Sequence, residues 1–197
     1  TQAVKDSYNN YSDAAIVVFT RIGGEGFDLP RTMKGATGYR NEDDHYLQLD
    51  KNETDLLAAV CSASFKHVIV VLNSGSPMEL SFLEQSSYYA YQDKIDAAPW
   101  MGYPGNSGTT ALGEILNGSI NPSGRTVDTF AADFKKSPTW VNFGDNLITG
   151  NSTKGIQGGD QYSYQGKNTL YYFVDYEEGV YVGYKYYETR GLTDGET

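Results

Sequence analysis

Cysteine is almost absent from this sequence: Cys61 is the only one among 197 residues, so no disulfide can form within the chain. Its setting in LLAAVCSAS predicts a small apolar residue on the buried face of a helix, not a reactive thiol. Long apolar runs are absent too, since none approaches the roughly 20 residues that a membrane-spanning helix needs. The first residues lack the charged and then apolar pattern of a secretory signal. We therefore expect a soluble chain without a membrane partner, and its compartment stays open.

Basic residues are scarce relative to acidic ones. Fifteen lysines and arginines stand against 25 aspartates and glutamates, which gives a formal net charge of -10. Such a charge repels nucleic acid phosphates and anionic lipid, so we expect no nucleic acid partner. What the sequence does have is the length and the apolar content, 39%, of one globular domain over residues 1–197 with a core of its own.

Two short continuous apolar runs mark the centre of the predicted fold. Residues 14–19 (AAIVVF) and 67–72 (HVIVVL) have the composition of strands that are covered on both faces of a parallel sheet. Asp50 and Glu53 form the pattern of a capping box, which predicts a helix from there to about Phe65. The apolar positions expected on one face of that helix are Leu56, Leu57 and Val60.

The same alternation continues with weaker signals. Pro77 predicts a short helix through Leu83, residues 97–103 predict a third strand, and residues 109–118 predict a helix that Gly118 terminates. Strands that alternate with helices in this way predict an α/β fold, a three-layer α/β/α sandwich with a mostly parallel sheet.

The last third of the sequence has a different pattern. Residues 141–169 show no sustained periodicity and predict a loop, whereas residues 171–187 alternate and predict an extended segment. Amphipathic rings commonly pack in a core or at an interface, and we expect this of Tyr184, Tyr186 and Tyr187.

The loops at the carboxyl ends of parallel strands are where open α/β sheets bind ligands. GGEGFDLP, residues 23–30, lacks the third glycine of a dinucleotide-binding fingerprint, and no P-loop lysine follows it. GNSGT, residues 105–109, lacks the last glycine of a serine-hydrolase elbow. NEDDHY, residues 41–46, lacks the spacing of a calcium or zinc site, so we predict a solvated loop, no metal and no cofactor. Taken alone, Glu25 is interpreted as an acidic side chain on a surface turn.

Four stretches, taken in order, change that interpretation: AAIVVFTRIGGEGFD, HVIVVLNSGSPMEL, YPGNSGTTALGEILNGSINPSGRTVDTF and YEEGVYVGYKYYETRG. Their order and spacing over residues 13–191 resemble the second domain of glycoside hydrolase family 3, the β-glucosidase and β-xylosidase family. The resemblance implies an (α/β)6-sandwich-like domain. It also implies one domain of a larger enzyme, since neither the family's (β/α)8-like barrel domain nor its fibronectin-like C-terminal domain is recognisable in the sequence.

In that family the barrel domain carries an aspartate nucleophile, and the sandwich domain contributes a glutamate that acts as acid and base. By resemblance, Glu25 is that glutamate. The substrate-binding residues that the matching loop implies are Arg21, Gly24, Phe27 and Asp28. The implied function is a part in the retaining hydrolysis of terminal β-linked glucose or a related sugar. The implied partners are a β-linked glucoside or oligosaccharide as substrate and the barrel domain of the same enzyme.

The residues themselves agree with this transfer. A retaining glycosidase needs two carboxyl groups about 5 to 5.5 Å apart, one as nucleophile and one as acid and base, and a single loop supplies only one of them. Glycines on both sides of Glu25 let the backbone approach a sugar closely. An interpretation from another class stays open: a non-catalytic carbohydrate-binding or interaction module of the same fold, whose tyrosine-rich C-terminal segment stacks on sugars or packs on a partner.

Overall fold

The structure, a computed structural model, describes residues 1–23, 29–30, 32–34, 40–83, 92–140, 160–165, 167–173 and 178–194. The helices in that part of the chain are α1 (Gln2–Ser7), α2 (Lys51–Cys61), α3 (Thr109–Leu116) and α4 (Tyr184–Asp194), with short 3-10 turns at Ser81–Leu83, Gln92–Lys94 and Phe134–Lys136. The strands are β1 (Ala14–Thr20), β2 (His67–Asn73), β3 (Asp160–Tyr164) and β4 (Lys167–Phe173). None of these helices is long and apolar enough to cross a membrane.

β1 and β2 are neighbouring parallel strands, as predicted, and they pair in register along their whole length. The predicted third strand is an extended segment that joins β2 through parallel bridges at Ala97 and Trp100. The backbone N–H groups of Val70 and Leu72 donate to this segment at 2.9 Å. Because the three segments run in the same direction, the loops that follow them meet at one edge of the sheet.

The main core lies on one face of this parallel sheet. Val17 and Phe19 of β1 are buried there with Leu57 of α2, and the described elements form the predicted α/β sandwich. Successive strand residues point to opposite faces, and on the other face Ile16 and Val18 are each 50% exposed. Within the described ranges, the prediction that both faces of β1 are covered is therefore wrong.

The capping box of α2 forms as predicted. The Asp50 carboxylate accepts the backbone N–H of Glu53 at 2.8 Å, and the Glu53 carboxylate accepts the backbone N–H of Asp50 at 2.9 Å. The helix ends at Cys61 instead of near Phe65. Ser62 is its C-cap, and both the backbone N–H and the hydroxyl of Ser62 donate to the carbonyl of Ala58, at 3.0 and 2.7 Å.

The buried face of α2 is narrower than predicted. Leu57 and Val60 are buried, whereas Leu56 is 49% exposed, because it lies about 100° around the helix from Leu57 and points away from the sheet. Cys61 lies on the buried face, as predicted, with 6% exposure.

Burial raises the pKa of the Cys61 thiol, and only the thiolate reacts quickly with disulfide reagents. We expect the folded chain to react with Ellman's reagent on the order of 10²-fold more slowly than the chain unfolded in guanidinium. The measurement is the rate of absorbance change at pH 8 in the two conditions. Rapid labelling of one thiol per folded chain would contradict the packed role of Cys61.

The predicted helix after Pro77 does not form over its full length. The backbone N–H of Glu79 donates to Leu47 at 2.9 Å and that of Leu80 donates to Ala131 at 3.3 Å, so this stretch pairs with other segments. Only the 3-10 turn at Ser81–Leu83 remains helical. α3, in contrast, confirms the helix predicted in residues 109–118, and Gly118 just after it has a φ of +80°, a value that suits glycine.

The C-terminal third differs most from its prediction. β3 and β4 form an antiparallel hairpin, part of which lies where a loop was predicted. The extended segment predicted for residues 171–187 instead ends in the first residues of α4. Arg190 donates to the Tyr186 hydroxyl at 3.0 Å, four residues away, and Gly183 has a φ of +56° at the start of α4. Side-chain pairs at this spacing favour a helix over the strand that alternation indicates.

Candidate active site

Arg21 immediately follows β1 and has a side chain that is only 6% exposed. Its guanidinium forms a bidentate ion pair with Glu53, with N–O distances of 2.7 and 2.6 Å. The remaining N–H groups donate to backbone carbonyls of Thr20 at 2.7 Å, Tyr46 at 2.5 Å and Gln48. All five donors of this guanidinium therefore have acceptors within the chain.

The Arg21–Glu53 pair links three parts of the fold. Glu53 is also the capping residue of α2, so the carboxylate that receives Arg21 is fixed by the helix N-terminus. The carbonyls of Tyr46 and Gln48 belong to the segment that precedes that helix. Arg21 thus fastens the carboxyl end of β1 to the start of α2, where charge-assisted bidentate bonds are both strong and directional.

The next two residues are fastened by tyrosine hydroxyl groups. The Tyr46 hydroxyl donates to the carbonyl of Ile22 at 2.9 Å and accepts the backbone N–H of the same residue at 3.3 Å. The Tyr103 hydroxyl donates to the carbonyl of Gly23 at 2.8 Å. Three consecutive residues at the end of β1 are therefore each held by a different side chain.

The predicted catalytic residue, Glu25, follows these anchored residues in the sequence. Glu25, Gly24, Phe27 and Asp28 all fall outside the described residues, and their predicted roles stay predictions. On the two sides of this stretch, Gly23 packs against Leu29: a Cβ on Gly23 would lie 2.5 Å from the Leu29 Cδ2. Gly23 and Leu29, the described residues on either side of residues 24–28, therefore lie in contact next to the carboxyl end of β1.

Arg21 is the one predicted substrate-binding residue that the structure describes. Substrate binding by Arg21 stays a prediction. Its contacts support a role in holding the loop, because a new bond to a sugar would have to replace one of the five that it makes within the chain.

His45, in the acidic stretch of residues 41–46, is buried, which differs from the solvated loop predicted there. Its ring stacks on Phe134 at a centroid distance of 5.5 Å and lies 4.8 Å from Trp140. Its Nδ1 accepts the backbone N–H of Leu47 at 3.0 Å, a bond that a metal at the same nitrogen would have to displace. In the part of the chain that the structure describes, no group of three or more histidine, cysteine or acidic side chains is arranged to hold a metal.

A cavity of about 220 Å³ adjoins His45 and the residues that follow the Glu25 segment. Its wall is mainly apolar and consists of Leu29, Pro30, His45, Leu47, Phe134, Ser137, Thr139 and Trp140. A second, larger cavity of about 900 Å³ lies between residues 126–131 and the start of α4, and Tyr184 and Tyr187 line it. Tyr184 is 58% exposed, and the predicted role of these rings at an interface stays a prediction.

Glu79 is a buried carboxylate that the sequence analysis did not single out. It is 6% exposed and accepts the backbone N–H of Phe134 at 2.7 Å. Burial raises the pKa of Glu79, with the nearby Asp133 acting in the same direction and the Phe134 bond and Lys135 opposing it.

A group with a raised pKa in the folded chain binds its proton more tightly there than in the unfolded chain. The stability of the fold therefore falls as pH rises from the ordinary glutamate pKa, about 4.3, through the raised value. We expect Glu79→Gln, which cannot ionise, to be more stable relative to the wild type at pH 7 than at pH 4. Urea unfolding at the two pH values measures this, with the exposed Glu114→Gln as control. If the difference in stability between Glu79→Gln and the wild type is the same at both pH values, the burial of an ionisable Glu79 is contradicted.

Tyr46 and Tyr103 are the site residues that sequence reasoning missed. The sequence could have indicated Tyr103, since it is the last residue of the predicted third strand and is therefore expected at the same edge of the sheet as the loop after β1. Tyr46 carries no such signal, because it lies in an irregular segment and reaches its partner only through the fold. Glu53 was recognised as a capping residue, and its second role as the partner of Arg21 was not.

Several known proteins are similar to this chain in sequence or in fold. Beta-glucosidase A of Butyrivibrio fibrisolvens is 30% identical over 194 residues, which cover 91% of this chain and 19% of that protein. Probable beta-D-xylosidase 6 of Arabidopsis thaliana is 31% identical over 147 residues, which cover 75% of this chain and 17% of that protein. The crystal structure of a beta-glucosidase from Paenibacillus barengoltzii matches with a TM-score of 0.67 and 25% identity, over 95% of this chain and 16% of that one.

These relatives are several times longer than the present sequence, which spans less than a fifth of the length of each. A family model described as the glycosyl hydrolase family 3 C-terminal domain matches residues 1–184, nearly the whole sequence. On the strength of that match and of the relatives, this chain belongs to the glycosyl hydrolase family 3 C-terminal domain family.

Proposed function

We propose that this chain is the acid/base domain of a retaining β-glycosidase and that Glu25 is its proton donor and acceptor. The substrates are β-linked glucosides or xylosides, the sugars that the names of its relatives indicate. The observation that carries the proposal is the anchoring of residues 21–23. Two tyrosines and a partly buried ion pair hold the chain just before Glu25, at the sheet edge where α/β folds bind ligands.

The reaction needs a second carboxylate from outside this chain. In the first step an aspartate of the barrel domain attacks the anomeric carbon, the glycosidic bond breaks, and Glu25 gives its proton to the leaving oxygen. In the second step Glu25, now a carboxylate, takes a proton from water as the water oxygen displaces the aspartate. Glu25 ends protonated, as it began, and the sugar retains its β configuration.

The other loop residues have supporting roles in this proposal. Gly24 lets the backbone approach the sugar, and Phe27 and Asp28 contact the substrate next to Glu25. Arg21 is the outer support of the loop, because its guanidinium is already saturated with bonds inside the chain. The proposal uses no metal or cofactor, since proton transfer and carboxylate attack complete both steps.

The experiment is a comparison of the chain alone with the longer enzyme that contains it. We expect the chain alone to fold, as judged by circular dichroism and a cooperative urea transition, and to show no hydrolysis of 4-nitrophenyl β-glucoside or β-xyloside. The longer enzyme should hydrolyse at least one of the two. Turnover by the folded chain alone would overturn the shared site.

Calorimetric titration of the chain with glucose and xylose is the second arm. A non-catalytic carbohydrate-binding module would bind sugar in isolation, and Glu25→Gln would then leave hydrolysis by the longer enzyme unchanged. That pair of results would replace the catalytic proposal.

A further inference from the structure

Tyr103 joins all three loops at the carboxyl edge of the sheet. It is the last residue of the third extended segment, residues 97–103, and its hydroxyl reaches the carbonyl of Gly23 in the loop after β1. Its ring lies against Gly75, in the loop after β2, so closely that a Cβ on Gly75 would lie 2.1 Å from a ring carbon. Glycine at position 75 is therefore a condition for the ring to lie there, and the three loops meet through one side chain.

Tyr46 acts on the neighbouring residue, Ile22. Its hydroxyl makes both a donor and an acceptor bond to the backbone of Ile22. Its own backbone carbonyl accepts the Arg21 Nε–H, and the Arg21 guanidinium lies 5.9 Å from the centre of its ring. Tyr46 therefore contacts the partly buried Arg21–Glu53 ion pair through its backbone and ring, and it holds Ile22 through its hydroxyl.

We propose that Tyr46 and Tyr103 are positioning residues that set the orientation of Glu25 through the backbone of Ile22 and Gly23. This inference rests on the proposed function. Neither tyrosine is a catalytic residue, since each acts on the backbone that precedes the loop. General acid catalysis requires the carboxyl within hydrogen-bond reach of the leaving oxygen, and a displacement of about 1 Å can cost 10²-fold in rate.

The exposure of these residues allows an effect on the position of Glu25 to be distinguished from an effect on the stability of the fold. Tyr103 is 64% exposed and Ile22 is 85% exposed, so neither contributes much to the apolar core. When one of these hydroxyls is removed, water can reach the backbone group that it contacted, because both hydrogen bonds are exposed. The unfolding transition should therefore change little. The loss should instead appear in the step that depends on the position of Glu25.

The test uses Tyr46→Phe, Tyr103→Phe and the double variant in the longer enzyme that contains this chain. Each substitution keeps the ring and deletes only the hydroxyl. The matched control is Tyr11→Phe. Tyr11 is 76% exposed and comes just before the start of β1, at the end of the strand opposite to the site. kcat/KM is measured for aryl β-glycosides whose leaving groups range from 2,4-dinitrophenol to phenol.

We expect each single variant to lose about 2- to 10-fold on the phenyl glycoside, because the carboxyl of Glu25 is then held less well for proton transfer, and the double variant to lose more. On the dinitrophenyl glycoside, whose leaving group needs no proton, the loss should be below about 2-fold. Tyr11→Phe should match the wild type on both substrates. Equal losses on all substrates, or none on the phenyl glycoside, would overturn the positioning role.

A parallel series with Glu25→Ala separates this inference from the proposed function. If Glu25→Ala shows a strong dependence on the leaving group and the tyrosine variants show none, the positioning role alone fails. If Glu25→Ala itself shows no such dependence, Glu25 is not the acid, and both the proposed function and this inference fail.

Discussion

Glu25→Ala, in this chain joined to the barrel domain that the proposed function requires, is expected to lose about 10²- to 10⁴-fold in kcat/KM on glycosides with poor leaving groups. Without the acid, an alkoxide or phenoxide must leave without a proton, which raises the barrier of the first step. A dinitrophenolate leaves readily without help, so the loss on that substrate should be small in kcat/KM. The measurement is a plot of log kcat/KM against the pKa of the leaving group, which should be much steeper for the variant.

The control for this prediction is Glu114→Ala, an exposed carboxylate on α3. It removes the same charge from the same domain and should leave the slope of the plot unchanged. If Glu25→Ala loses the same factor on every leaving group, the residue contributes to folding or binding and not to proton transfer.

Arg21→Met is expected to lower the free energy of unfolding of this chain by about 2 to 4 kcal/mol, since Arg21 is buried and Glu53 is only partly so. The substitution leaves the Glu53 carboxylate without its partner and removes the donors to the carbonyls of Thr20, Tyr46 and Gln48. These bonds are partly buried, so water replaces them only in part. Urea unfolding monitored by circular dichroism measures the change.

Lys66→Met is the matched control, because Lys66 also forms an ion pair, with Asp13, but the two side chains are 68% and 86% exposed. An exposed pair of this kind contributes little to stability, so this variant should unfold close to the wild type. A second comparison uses the double variant with Arg21→Met and Glu53→Gln. It should lose less free energy of unfolding than the sum of the losses of the two single variants. An Arg21→Met variant as stable as the wild type would show that the ion pair is not a support of the site.

The elements that the sequence predicted well are those whose signal is local. β1 and β2 are continuous apolar runs, and the Asp50–Glu53 capping box lies within four residues. The predictions failed where partners distant in sequence decide the structure. Pro77 was read as a helix start, but backbone bonds to Leu47 and Ala131 hold that stretch extended.

The same distinction applies to the site. Glu25 was identified from a motif, and a motif carries no information about how its loop is held. Tyr46 and Tyr103 reach Ile22 and Gly23 across 24 and 80 positions of the chain. Such contacts depend on the register of the sheet and on the lengths of two loops, which no local pattern in the sequence specifies. Substrate binding by Arg21 was implied by the resemblance and stays a prediction, and the bonds of its guanidinium to Glu53 of α2 are likewise not specified by the motif.

The assignment of Glu25 as acid and base is tested most directly by the product that Glu25→Ala forms in the presence of azide. Without the base, water attacks the glycosyl-enzyme slowly, but azide is a nucleophile that needs no proton removed. With a dinitrophenyl glycoside as substrate, we expect faster turnover in azide and a glycosyl azide of β configuration, identified by proton NMR. Wild-type enzyme under the same conditions should release free sugar. Absence of any glycosyl azide from the Glu25→Ala reaction, or an azide of α configuration, would contradict the assignment.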